Sequence, residues 1–323
     1  MDASAIGVVC IKSLSFFTSF AALRNINYKL HPRSKEICFP PKASPKGLSG
    51  CSSGFGDQLA RQALARGDKV VATARNSAKL SELKELGALT LSLDITSSDD
   101  VIQKVVKDAI DAYGKIDYLV NNAGYILEAA VEEASDAEIR AQFSTNVFGH
   151  AAVIRAVLPY MRAAKKGVVA NLGSIAAWAS DVGYGYYSAS KMALVGITEA
   201  LRQEEAHLGI QAVLIDPGYF RTNFLGSDAK IQSKNAIDDL RPAMDPVRDM
   251  LTKVNRNQPG DPVKGAAVII EVLTLTGRAS GKKLPLRLVL GSDAVKYIAD
   301  VQARQARELE EWADIAKTTD HED

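Results

Sequence analysis

The sequence predicts an α/β fold, a doubly wound parallel sheet with helices on both faces. Three observations carry this expectation. Short β-branched runs recur between amphipathic helical stretches, glycines or turn residues stand at most junctions, and a glycine cluster at Gly50 opens the series. Strands buried on both faces read as continuous apolar runs, as Lys69 to Ala74 does. Crossovers between such strands should be right-handed.

Composition narrows the function classes. The 323 residues suit one large α/β domain, and 47% hydrophobic with 24% charged residues is ordinary for a soluble globular protein. A formal net charge of +1 gives no footprint for nucleic acid or an anionic membrane. Cys10, Cys38 and Cys51 are too scattered for a disulfide framework or a zinc site, and the four histidines are dispersed too. No metal is expected, and a reduced, cytoplasmic compartment is.

Residues 1–47 read as a poorly ordered extension. Ala5 to Leu23 is mildly apolar but broken by Lys12 and serines, short of a membrane span. Met1-Asp2-Ala3 carries no positive charge, so a secretory signal is poorly supported. Pro40, Pro41, Pro45 and Gly47 then block regular structure.

From Gly50 the pattern is regular. A helix over Asp57 to Arg66 stops at Gly67, and the strand Lys69 to Ala74 follows. A helix from Ser77 to Leu86, a strand from Ala88 to Leu93 and an amphipathic helix from Ser97 to Tyr113 come next. Tyr118 to Val120 leads into Asn121-Asn122-Ala123-Gly124. A long helical pattern runs from Asp136 to about Ala164 and carries Asn146. Val168 to Leu172 is a strand that delivers Ser174, and the helix bearing Tyr187 and Lys191 leads to a strand over Gln211 to Ile215. The polar, proline-bearing stretch 219–260 breaks the alternation and reads as a mobile lid. A helix from Pro262 to Thr274, a strand from Leu284 to Leu290 and a charged helix over 292–315 complete the chain.

Tyr187 and Lys191 are one helical turn apart and share a face. A phenol ionises near pH 10, so alone it is a poor acid or base at neutral pH. A neighbouring ammonium should lower that value towards the working range. With the Ser174 hydroxyl holding a substrate oxygen, the three groups suit proton transfer to and from that oxygen while something else moves a hydride. Taken alone, the pair reads more readily as a surface contact, and the rest of the chain has to change that.

Other residues support a nucleotide. Glycines at Gly50, Gly54 and Gly56 let the backbone turn tightly against a pyrophosphate at a helix N-terminus, although the spacing is not G-x-G-x-x-G. Arg75 follows the second strand with no acid beside it, which suits the 2′-phosphate of NADP; a solvated surface arginine is the lesser alternative. Asp94 could accept from an adenine amino group or cap the next turn. Asn121 and Asn122 sit where a strand meets the same crevice, or simply satisfy a turn. Cys51 is a small apolar filler.

Together, Gly50-x-x-x-Gly54-x-Gly56, Asn121-Asn122-Ala123-Gly124, Asn146, Ser174, Tyr187-x-x-x-Lys191 and Asp216-Pro217-Gly218 resemble the single-domain branch of the short-chain dehydrogenase/reductase family. The resemblance covers about 49–290 and implies a Rossmann-type, three-layer αβα fold. It implies that Tyr187 is the general acid/base and that Lys191 lowers its pKa and holds the nicotinamide ribose. Ser174 would position the substrate oxygen, and Asn146 would support a water-linked proton path. Ser49, Gly50, Gly54, Phe55 and Gly56 would meet the pyrophosphate. Pro217, Gly218, Phe220 and Thr222 lie in the family's stretch over the nicotinamide carboxamide.

The family's first strand, central in its sheet, should run directly into the glycine loop. Ala43-Ser44-Pro45-Lys46-Gly47-Leu48-Ser49 stands there instead, with Pro45 and Gly47 poorly suited to a central strand. The strand is therefore expected to be degraded or replaced, leaving a gap in the sheet, with Glu36 to Phe39 the nearest β-like stretch. The domain expectation is an extension over 1–47, a catalytic domain over 48–291 with its lid at 219–260, and a helix and tail over 292–323. The functional expectation is an NADP-dependent oxidoreductase interconverting a carbonyl and an alcohol on a small molecule. The competing class is a non-catalytic dinucleotide-binding or scaffold protein disabled by the missing strand. Substrate and direction are not selected, and a homo-oligomer is left open.

Overall fold

The computed structural model describes residues 45–226 and 229–321. Its strands are β1 (Pro45–Ser49), β2 (Lys69–Ala74), β3 (Leu89–Ser92), β4 (Tyr118–Asn121), β5 (Ile126–Glu128), β6 (Gly167–Leu172), β7 (Ile210–Pro217), β8 (Lys230–Gln232) and β9 (Arg287–Leu290). The helices between them are α1 (Gly54–Ala65), α2 (Ser81–Glu85), α3 (Asp99–Tyr113), α4 (Asp136–Phe143), α5 (His150–Ala164), α6 (Gly185–Glu204), α7 (Arg241–Val254), α8 (Pro262–Thr274) and α9 (Ser292–Lys317). Seven strands form one parallel sheet in the order β3-β2-β1-β4-β6-β7-β9.

Alternation along the strands builds two cores, one on each face. Val70 and Ala72 of β2, Val120 of β4 and Val213 of β7 pack with Leu59 of α1 and Ile269 of α8. Val71, Leu119 and Ala212 point the other way, towards Ile102 of α3, Val157 of α5 and Leu201 of α6. This is the doubly wound α/β architecture.

The expected gap at the centre is filled. Gly47 of β1 pairs with Val71 on one side and Leu119 on the other, in parallel register. Pro45 is the first strand residue, and pairing with β4 begins only at Lys46, so its missing N–H falls where it matters least. The backbone groups of β2 and β4 provide what the residues of β1 lack in β-propensity. The strand thus begins inside the stretch read as an extension. Glu36 to Phe39 lies outside the described residues.

Two further departures bear on the site. The long helix read from Asp136 is interrupted by a π-helical turn over Ser144–Gly149 that carries Asn146. The stretch 219–260 is also better organised than an irregular loop. It contains β8, paired with β5, and α7. Buried Glu128 accepts from Lys230 Nζ at 2.5 Å, Gln232 Nε2 at 2.9 Å and Arg248 Nε at 3.2 Å, and Glu133 accepts from the Ile237 N–H at 3.1 Å. Two core carboxylates therefore tie this stretch down.

Candidate active site

The glycine loop leaves β1 and enters α1. Gly50 and Gly54 take φ of 89° and 60°, the region that favours glycine. A Cβ on Gly56 would lie 1.9 Å from the Gly50 carbonyl oxygen, so only glycine lets α1 close on the loop. Asn122 Nδ2 donates to that carbonyl at 3.1 Å. Ser53 gives no side-chain cap, so the first N–H groups of α1 stay available to an anion. Cys51 is buried in the core, where burial pushes its thiol far up, as a filler requires.

Gly50, Gly54 and Phe55 form one wall of a cavity of about 320 Å³. Ser174, Tyr187 and Lys191 form another, and Pro217, Gly218, Phe220 and Thr222 close it. Phe55 and Phe220 pack with ring centroids 4.8 Å apart, joining the glycine loop to the segment after β7.

Tyr187 and Lys191 are both buried on α6. Lys191 Nζ donates to the Leu172 carbonyl at 2.7 Å and stands 5.9 Å from the centroid of the Tyr187 ring. Burial pushes the Tyr187 phenol up to about 12, and its hydrogen bond with Ser174 pulls the other way. Burial also lowers the Lys191 ammonium to about 8, opposed by the charge of Asp216. Burial, not the neighbouring ammonium, thus dominates the phenol, and Ser174 supplies the opposing pull. At neutral pH the phenol keeps its proton.

Several expected residues stand behind the wall rather than in it. Asn146 is buried, donates to the Tyr125 carbonyl at 3.1 Å and to Ser190 Oγ at 3.0 Å, and accepts from the Tyr125 N–H at 3.2 Å. It anchors the strand-to-loop junction to α6. Asn121 donates to Asn171 at 2.9 Å across β4 and β6. Asp94 accepts from the Thr96 N–H at 2.9 Å and hydroxyl at 2.7 Å, the capping alternative. Arg75 follows β2 and is half-buried, and Ser49 ends β1.

Sequence reasoning missed Lys79, Gln258 and His150, and set Tyr184 aside because no lysine follows it four residues on. Lys79 lines the cavity from the turn after β2. Gln258 lines it too; it is 1% exposed, and neither its amide nitrogen nor its oxygen has a protein partner. The buried Tyr184 hydroxyl likewise lacks a partner. His150 Nε2 lies 2.7 Å from the Ala123 carbonyl, and burial with nearby Lys191 holds its ring down to about 3. Of the four, Tyr184 alone stands in a readable place, one turn before Tyr187; the other three carry no local sequence signal.

A parallel αβα sheet with a glycine-loop helix and a Ser-Tyr-Lys wall around one cavity defines the dehydrogenase class of α/β protein. The chain belongs to the short-chain dehydrogenase family, whose description "short chain dehydrogenase" matches residues 48–232. Members of this family are oxidoreductases acting on CH–OH and C=O groups. Oxidoreductase BOA17 of Botryotinia fuckeliana is 31% identical, over 83% of this chain and 96% of that one. A short-chain dehydrogenase from Streptomyces avermitilis superposes with a TM-score of 0.76 at 38% identity, covering 84% of this chain and 97% of that chain. A family member from Burkholderia phymatum in complex with NAD shares the fold, with a TM-score of 0.67 and 23% identity over 81% of this chain and 92% of that one.

Proposed function

We propose that the protein is an NADP-dependent oxidoreductase that interconverts a carbonyl and an alcohol, with Tyr187 as general acid/base. One observation carries this reading: the Tyr187 phenol, bonded to Ser174, opens into the same cavity as the glycine loop. The cradle fits a dinucleotide, since the Gly50 to Gly56 closure brings bare backbone to the cavity. When bound, the nicotinamide would supply or take the hydride. Ser174 would hold the substrate oxygen, and Tyr187 would give it a proton or take one. Lys191 would hold the ribose, and Asn146 would fix the backbone beneath them. Ser49, Gly50, Gly54, Phe55 and Gly56 would cradle the pyrophosphate. Asn121 and Asn122 would support that cradle, Asp94 would face the adenine, and Pro217, Gly218, Phe220 and Thr222 would cover the nicotinamide. The non-catalytic alternative drew on a missing first strand, and β1 removes its motive. A cytoplasmic location is in keeping with this reading, and among the described residues no helix is long and apolar enough to cross a membrane. The test is a panel of ketones, aldehydes and alcohols with NADPH or NADP; no turnover in either direction would refute the reading.

Preference for NADP rests on Arg75. Arg75→Ala is expected to weaken NADPH binding by roughly 1–3 kcal/mol, the scale of a charge-assisted hydrogen bond, and to leave NADH nearly unchanged. Fluorescence titration with both cofactors checks this, and equal losses would count against it.

The stretch 219–260 acts as a lid in this reading, hinged at its ends and tethered by Glu128. Glu128→Gln removes the buried charge that Lys230 and Arg248 share. Limited proteolysis within that stretch should then accelerate, and NADPH with substrate should slow it again. Equal cleavage rates with and without saturating ligand would remove the lid.

A further inference from the structure

Asp216 belongs to the motif at the end of β7, yet its side chain serves the opposite wall of the cavity. The residue is 0% exposed. Its Oδ1 accepts from the Ser174 N–H at 3.2 Å. Its Oδ2 accepts from Trp178 Nε1 at 3.0 Å and from Arg287 Nε at 2.7 Å. The Arg287 guanidinium stacks 3.7 Å from the Trp178 ring centroid. One carboxylate thus grips both ends of the turn from Ser174 to Trp178 and ties it to β7 and β9. The fit is tight: a Cβ on Gly173 would lie 2.3 Å from Asp216 Oδ1.

We propose that Asp216, clamped by Arg287 and Trp178, is a positioning residue that sets Ser174 against Tyr187 for work on the substrate oxygen. The inference rests on the oxidoreductase reading above. A buried ion pair joining β7 to β9 would serve stability alone if both carboxylate oxygens faced only Arg287 and Trp178. Here the first oxygen is spent on the backbone of Ser174, which touches the phenol. The charge also reaches the reacting groups, raising both the Tyr187 and the Lys191 pKa. The groups facing this cluster are Tyr187 and Lys191 from α6, Arg287 from β9 and Tyr219 beyond β7, with His150 of α5 facing Lys191.

The test uses the full chain with a carbonyl that the wild type reduces. Asp216→Asn keeps an acceptor and removes the charge. Its kcat should fall roughly ten- to hundredfold, the cost of a misplaced catalytic group, while the NADPH Kd stays within about threefold. Without the charge both pKa values fall, so the alkaline limb of the pH profile should move to lower pH. Trp178→Phe removes a single donor from the clamp and guards against a variant that fails to fold; its kcat should fall with NADPH binding unchanged. Wild-type kcat in Trp178→Phe, an unshifted pH limb in folded Asp216→Asn, or losses confined to NADPH binding would each overturn the proposal. An active wild type with unaffected variants sinks this inference alone. A wild type inert on every carbonyl and alcohol sinks the oxidoreductase reading with it.

Discussion

Tyr187→Phe is expected to bind NADPH as the wild type does and to turn over about 10²–10⁴-fold more slowly, the range for losing a positioned general acid. The substitution keeps the ring that packs near Tyr184 and Phe224, so the wall keeps its shape. Only the hydroxyl bonded to Ser174 is lost. Because burial holds the phenol near 12, the wild-type group is a protonated donor throughout the neutral range. Reduction of a carbonyl should therefore persist through neutral pH and decline in alkali, first as the Lys191 ammonium, held near 8, loses its proton and then as the phenol does, whereas oxidation should gain as the phenol ionises. Stopped-flow and steady-state rates across pH, with a separate binding titration, make the measurement. Near-normal turnover in the variant would move the proton relay to another group, and Tyr184, with its unpartnered hydroxyl, is the next to test.

Gly56→Ala is expected to be the most damaging single methyl in the glycine loop. The added Cβ would stand 1.9 Å from the Gly50 carbonyl oxygen and 2.8 Å from Asn122 Nδ2. The first obstacle is backbone, which no rotamer change can relieve, so either α1 or the loop must move. A loss on the order of 4 kcal/mol of stability is expected, at the severe end for point substitutions, with NADPH affinity falling alongside. Gly196→Ala is the control. Nothing lies within 4 Å of its added Cβ in α6, and relief of backbone entropy should stabilise by about 0.5–1 kcal/mol. Urea unfolding of both variants checks the pair. A Gly56→Ala protein as stable as the wild type would contradict the loop closure described above.

Local signals made most of the sheet legible. Runs such as Lys69 to Ala74 carry their burial in their composition, and the Tyr187–Lys191 spacing needs only helix geometry. Features set by distant partners were not legible. Pro45 to Ser49 is a strand because β2 and β4 flank it in parallel register, not because Pro-Lys-Gly-Leu-Ser favours extension. The order within 219–260 depends on Glu128, whose partners Lys230 and Arg248 lie 102 and 120 residues away. The phenol pKa is a matter of burial, a property of the packed protein that a sequence pattern does not carry. Asp216 was read as part of a loop motif, since nothing nearby in the chain announces Trp178 or Arg287 as its partners.

The distance from Asp216 to Arg287 also imposes an order on synthesis. The first four strands of the sheet, β1 to β4, lie within residues 45–121 and pair with one another, so they can assemble early on a growing chain. Asp216 emerges with β7, but its cation follows 71 residues later. At roughly 5–20 residues per second, that is a wait of about 4–14 s during which a carboxylate destined for the interior has no counter-charge. A buried charge without its partner is costly, so the Ser174 turn has reason to stay open to water until β9 arrives. The first four strands and the glycine loop can therefore form on the ribosome before β9 arrives and the wall that carries Ser174 closes.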